Sequence, residues 1–97
     1  KSHTIETDTN SYILGRGKDC DLLVKGDLIS RHHLKIEHRR GKFIFTDQST
    51  NGTFMRTAEG QDIFLRREEF TVFGSGYISL GKKVDLSDEN VIHFLCE

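Results

Sequence analysis

Leu34-Lys35-Ile36-Glu37-His38-Arg39-Arg40-Gly41-Lys42-Phe43-Ile44-Phe45-Thr46-Asp47 is the stretch that decides the architecture. Leu34, Ile36 and His38 fall on one face and Lys35, Glu37 and Arg39 on the other, the two-residue period of a half-buried strand. Arg40-Gly41-Lys42 turns the chain back into a second run, so the two form a hairpin. Upstream, residues 2–6, Tyr12-Ile13-Leu14 and Leu22-Leu23-Val24 read as further short strands. Downstream come Thr53-Phe54-Met55 and residues 62–65, 70–73, 77–80 and 91–95. Leu28-Ile29 are expected to tuck the loop before Leu34 onto the core. No window shows a helical period, and residues 87–90 read as loop. About ten to eleven short, mostly antiparallel strands, with turns roughly every 8–12 residues, predict an all-β sandwich.

The chain has 97 residues, which suits a single domain over 1–97. It begins Lys-Ser-His, so it is expected to be a domain taken from a longer protein. Fourteen basic residues against fifteen acidic ones give a net charge of −1, without the basic footprint that nucleic-acid binding needs. Arg39-Arg40 and Arg66-Arg67 read as solvated strand ends. The two cysteines, Cys20 and Cys96, stand far apart and in no metal-like spacing. They read as reduced residues of a cytoplasmic protein, although a pairing between them stays open. No apolar run has the length of a membrane span.

The chemistry gathers in Ser30-Arg31-His32-His33, in the loop that leads into the Leu34 strand. Gly15-Arg16 upstream and Ser49-Thr50-Asn51-Gly52-Thr53 downstream complement it, and Asn51-Gly52 is the strongest short turn signal in the chain. Brought together, these loops would offer two guanidiniums, several hydroxyls and turn amides, the donor set of an anion site. Competing readings are weaker. Gly15-Arg16-Gly17 opens no helix and lacks the third glycine of a dinucleotide fingerprint, Gly74-Ser75-Gly76 fails that fingerprint too with Ser79 at the third place, and Gly17-Lys18 fails as a P-loop; all three read as turns. Neighbouring His32 and His33 point to opposite sides, and no Cys or carboxylate stands near them at ligand spacing, so no metal is expected. Ser30 with His33 lacks a nearby orienting carboxylate in sequence for nucleophilic catalysis, although a distant one stays open. His33 is better read as a buried imidazole that bonds loop backbone.

Together Gly15-Arg16, Ser30-Arg31-His32-His33 and Asp47-Gln48-Ser49-Thr50-Asn51-Gly52-Thr53-Phe54, with a weaker echo at Ile78-Ser79-Leu80-Gly81, resemble the forkhead-associated (FHA) domain family. The resemblance runs from about Tyr12 to Gly81. It implies an FHA/SMAD-like sandwich of eleven or so strands whose loops at one end bind phosphothreonine peptides. Carried over, it implies phosphate contacts from Arg16 and Ser30 and further ones from Arg31 and Thr50. Asn51 would hold the peptide backbone, while Gly15, His33 and Gly52 would shape the loops. The expected partner is a phosphothreonine-containing protein or peptide rather than nucleic acid or membrane, with no cofactor, metal or catalytic residue.

Two departures stand out. Arg56 lies where an Asn often follows the Asn-Gly-Thr turn, and Gly74-Ser75-Gly76 replaces an acidic turn. The late run Leu65-Arg66-Arg67-Glu68-Glu69-Phe70, with Gly74-Ser75-Gly76 and the closing Phe94-Leu95-Cys96-Glu97, resembles bacterial members attached to class III nucleotide cyclases. The alternative function is a scaffold of the same fold that mediates protein contacts or self-association independently of phosphate.

Overall fold

A computed structural model describes residues 4–5 and 11–96. The expected first strand over residues 2–6 is described only at Thr4–Ile5, and its other residues lie outside. Among the described residues ten strands follow one another: β1 (Thr4–Ile5), β2 (Ser11–Gly15), β3 (Leu22–Leu23), β4 (Leu34–Arg39), β5 (Lys42–Asp47), β6 (Thr53–Thr57), β7 (Asp62–Leu65), β8 (Glu69–Val72), β9 (Gly74–Leu80) and β10 (Ile92–Cys96). They form two five-stranded sheets, ordered β1-β10-β9-β6-β7 and β3-β2-β4-β5-β8. All pairings are antiparallel except β1 with β10 and β2 with β3. Among the described residues no helix is long and apolar enough to cross a membrane.

The β4–β5 hairpin runs in register from Leu34↔Asp47 to Arg39↔Lys42. Its loop is Arg40-Gly41, with φ of 52° and 75°. Two successive positive φ angles match the right-handed twist of the flanking strands, as in a type I′ turn. Leu34, Ile36, Phe43 and Phe45 point inward and are buried. On the outer face Glu37 pairs with Lys35 and Arg39, and Arg39 with Glu69, in solvated ion pairs. His38 stacks on its cross-strand partner Phe43 with ring centroids 4.5 Å apart. Phe45 meets Phe94 of the other sheet edge-on at 5.4 Å. That contact joins the two layers, and Leu14, Met55, Ile78 and Ile92 belong to the same buried cluster.

Several local expectations need correction. Ile29 enters the core, but Leu28 stays 46% exposed, its Cβ against Gly81. Phe73 lies outside β8 and is 73% exposed, because the strand ends at Val72 and the chain turns at Gly74, φ 73°. Of Gly74-Ser75-Gly76 only Gly74 serves as a turn residue; the stretch opens β9. A Cβ on Gly76 would come within 2.3 Å of the Arg56 carbonyl and 3.0 Å of the Phe94 ring, so the bare backbone is what lets β9 lie between β6 and β10. Asn51-Gly52 turns the chain from one sheet to the other, since β5 and β6 belong to different layers. Only Gly52 takes a positive φ there, at 92°.

Candidate functional site

Three loops meet at one end of the sandwich: residues 16–21 after β2, 24–33 before β4, and 48–52 between β5 and β6. The first two are laddered by backbone. Arg16 N donates to Ser30 O at 2.9 Å, and Gly17 N donates to Arg31 O at 3.0 Å. Gly15 permits this approach, since a Cβ there would lie 2.2 Å from Arg31 O. The Arg16 side chain runs along the same loop, its Nε donating to Ile29 O at 2.8 Å. Its guanidinium is therefore held at the carbonyl of the residue that precedes Ser30.

The third loop joins at Ser30. Thr50 N donates to Ser30 Oγ at 3.2 Å, and Asn51 Nδ2 donates to Leu28 O at 3.0 Å. Behind these contacts lies His33, fully buried. Its Nδ1 accepts from Ser30 N at 3.0 Å, and its Nε2 faces Gly52 O at 2.7 Å. A carbonyl can only accept and Nδ1 is already accepting, so the proton sits on Nε2 and the ring is neutral. Burial pushes the His33 pKa down, opposed in part by the Gly52 hydrogen bond and the Asp47 charge. One side chain thus locks the Ser30 loop to the Gly52 turn. Gly52 allows little variation: a Cβ would strike the Phe64 ring at 2.4 Å, besides the positive φ.

Asp47, 2% exposed, organises the third loop from beneath. Its Oδ1 accepts from Thr53 Oγ1 at 2.6 Å and Ser49 Oγ at 2.8 Å. Its Oδ2 accepts from Ser49 N at 3.1 Å and Arg67 N at 2.9 Å. Ser49 Oγ in turn accepts from Gly52 N at 2.7 Å. Burial pushes the Asp47 carboxyl up, but the hydrogen bonds from Thr53, Arg67 and Ser49 outweigh it and hold the pKa below the ordinary value. Arg67 adds a second link, its Nε donating to Ser49 O at 3.0 Å.

Of the residues singled out in sequence, Arg16, Ser30, Thr50 and Asn51 are tied together by these bonds. Arg31 is exposed on the same loop, and its carbonyl accepts from Gly17. Asp47, Ser49 and Arg67 support the site without having been assigned to it. The Asp-x-Ser spacing before Asn-Gly was a usable signal for an Asx turn at Asp47. Arg67 gave none, being 18 residues from Ser49 and reading as a solvated strand end. Among the described residues, surface hollows include one away from these loops and one behind the loop before β4. One of about 320 Å³ is lined by Phe54, Arg56, Asp62, Phe64, Lys83 and Val84 among others. One of about 240 Å³ is lined by Asp27, Leu28, Ile29, Lys82 and Asn90 among others. The cysteines are free, Cys96 buried and Cys20 half-buried.

The fold has known counterparts. The family model described as FHA domain matches residues 12–95. The FHA domain of FhaA, solved in complex with the intracellular domain of Rv3910, is 28% identical with a TM-score of 0.61, over 79% of this chain and 78% of that one. The FHA domain of the Chlamydia trachomatis CT664 protein is 26% identical with a TM-score of 0.60, over 79% of this chain and 75% of that one. The N-terminal FHA domain of S. cerevisiae Rad53p, solved with a phosphothreonine peptide, shares the fold at 21% identity and a TM-score of 0.62, over 88% of this chain and 67% of that one. No curated protein matches the chain in a sequence comparison. With the family model covering most of its length, the chain belongs to the FHA domain family.

Proposed function

We propose that this chain is a phosphothreonine-peptide-binding interaction module in which the three loops at one end of the sandwich clamp the phosphate. Arg16 and Ser30 take the phosphate directly, Arg31 and Thr50 add further contacts, and Asn51 holds the peptide backbone beside the phosphothreonine. The single observation that carries this reading is the convergence on Ser30, whose carbonyl is bonded by Arg16 N and whose hydroxyl is bonded by Thr50 N. One small residue thereby brings a guanidinium loop and a turn of backbone amides to the same place.

The chemistry suits a dianion. A phosphothreonine carries about −1.5 to −2 charges at neutral pH and three acceptor oxygens. Planar guanidinium forks match that array as an ammonium cannot. The net charge of −1 supplies no broad attractive field, so selectivity rests on local geometry. Each charge-assisted bond contributes about 1.5–3 kcal/mol net, and three or four of them, less the cost of association, give micromolar affinity. This function is binding, without a reaction step. Solved relatives support it: an FHA domain 27% identical to this chain belongs to phosphothreonine-dependent FHA domain interactions.

A degenerate phosphothreonine peptide library, probed beside its unphosphorylated counterpart, tests the proposal. Retention of phosphorylated sequences alone is expected. Equal retention of both would replace it with a phosphate-independent scaffold.

A further inference from the structure

Read along the chain, His32 had no metal-ligand neighbour. The fold supplies two. Asp19 and Cys20 stand on the loop after β2, and the backbone ladder between the first two loops carries them to His32, 13 residues beyond Asp19. His32 Nε2 lies 2.8 Å from Asp19 Oδ2, and the imidazole, carboxylate and thiol donor atoms all fall within 4.8 Å of one another. Asp19 and His32 are exposed and Cys20 is half-buried, so a cation reaches all three from solvent.

We propose that Asp19, Cys20 and His32 form a binding site for a borderline divalent cation of the Zn²⁺ type, which clasps the loop after β2 to the loop before β4. The donor set selects the ion. Thiolate and imidazole suit Zn²⁺ and its transition-metal neighbours, whereas Mg²⁺ and Ca²⁺ require oxygens. Bonds of about 2.0–2.3 Å in a tetrahedron separate ligand atoms by roughly 3.3–3.6 Å. The Asp19–His32 contact therefore opens slightly and the widest separation closes, within the reach of side-chain rotation. Three protein ligands leave the fourth position to water.

Binding breaks the Cys20 S–H bond and forms a metal–sulfur bond, with the proton passing to solvent. The thiol now faces Arg31 O at 2.9 Å and turns from it on ionising, because a carbonyl offers a thiolate no donor. His32 coordinates through an unprotonated Nε2, its ring proton moving to Nδ1 by exchange with water. Arg31 acts near Asp19 and opposes the cation, while Asp21 acts near Cys20 and favours it. The site is independent of the phosphopeptide reading, although both use the same pair of loops.

The test is titration of the untagged, reduced protein with Co²⁺, whose thiolate complexes show a sulfur-to-metal charge-transfer band, followed by Zn²⁺. One equivalent is expected to develop the band, and Zn²⁺ to bleach it and raise the melting temperature. Cys20→Ser should abolish the band, and Cys96→Ser should leave it. His32→Ala and Asp19→Asn should each weaken binding about tenfold or more, since loss of even an outer-shell partner costs that much. Absence of the band, its survival in Cys20→Ser, or undiminished affinity in both His32→Ala and Asp19→Asn would overturn the site.

Discussion

His33 and Asp47 are both buried, and His33 Nε2 lies 3.9 Å from Asp47 Oδ1, beyond hydrogen-bonding distance. Each serves a different part of the same rim. The imidazole joins the Ser30 loop to the Gly52 carbonyl, and the carboxylate gathers Ser49, Thr53 and Arg67. Gly52 connects the two, its N–H bonded to Ser49 Oγ and its carbonyl to His33.

Replacement of His33 by alanine is expected to cost about 2–4 kcal/mol of stability, because it empties a buried volume and orphans the Ser30 N–H. The imidazole also imposes a pH slope. Its folded pKa lies below the ordinary value of about 6.5. The unfolded chain therefore binds a proton that the folded ring refuses. The contribution is complete above about pH 6.5 and is lost as pH falls from there through the folded pKa. Urea midpoints measured against pH should show this slope in the wild type and its loss in His33→Gln.

Asp47→Asn is expected to destabilise by about 2–4 kcal/mol, since an amide cannot accept at both ends from Ser49, Thr53 and Arg67. The carboxyl's depressed pKa gives stability that is present above its unfolded value of about 3.9 and lost as pH falls through the folded one. The acid-unfolding midpoint checks this, and the variant's should lose that component.

Much of the fold was legible because alternation along Leu34–Arg39 and Lys42–Asp47 is a local property. The corrections arise where distant chain intervenes. Gly76 looked like a turn residue because the Arg56 carbonyl and Phe94 ring that require it are far off in sequence. Leu28 looked like a core residue, but the loop turns only Ile29 inward. In the site, the short motifs marked the three loops. The Thr50–Ser30 bond that joins two of them spans 20 residues, the Arg67–Asp47 bond beneath them another 20, and no local pattern encodes such pairings.

Gly15→Ala places a Cβ against the Arg31 carbonyl backbone, which cannot yield without separating the first two loops. The expected cost is about 1–3 kcal/mol of stability. Phosphopeptide binding should fall with it, as a thermal melt and a peptide titration on the same sample would show.

Arg67 holds a left-handed backbone, φ 56°, while its Nε bonds Ser49 O. Arg67→Ala keeps the strain and loses the bond, whereas Arg67→Gly loses both. The glycine variant should therefore melt higher than the alanine variant, by about 1 kcal/mol in stability. Equal melting temperatures would remove backbone strain from the account.

The most direct measurement is calorimetric titration of the wild type and Arg16→Ala with a library-selected phosphothreonine peptide and its unphosphorylated twin. The wild type should bind only the phosphorylated form. Arg16→Ala should lose at least about 2 kcal/mol of that binding, roughly thirtyfold, while the domain stays folded and melts only slightly lower for want of the bond to Ile29 O. Unchanged affinity in the variant, or equal binding of both peptides by the wild type, would contradict a phosphate held between Arg16 and Ser30.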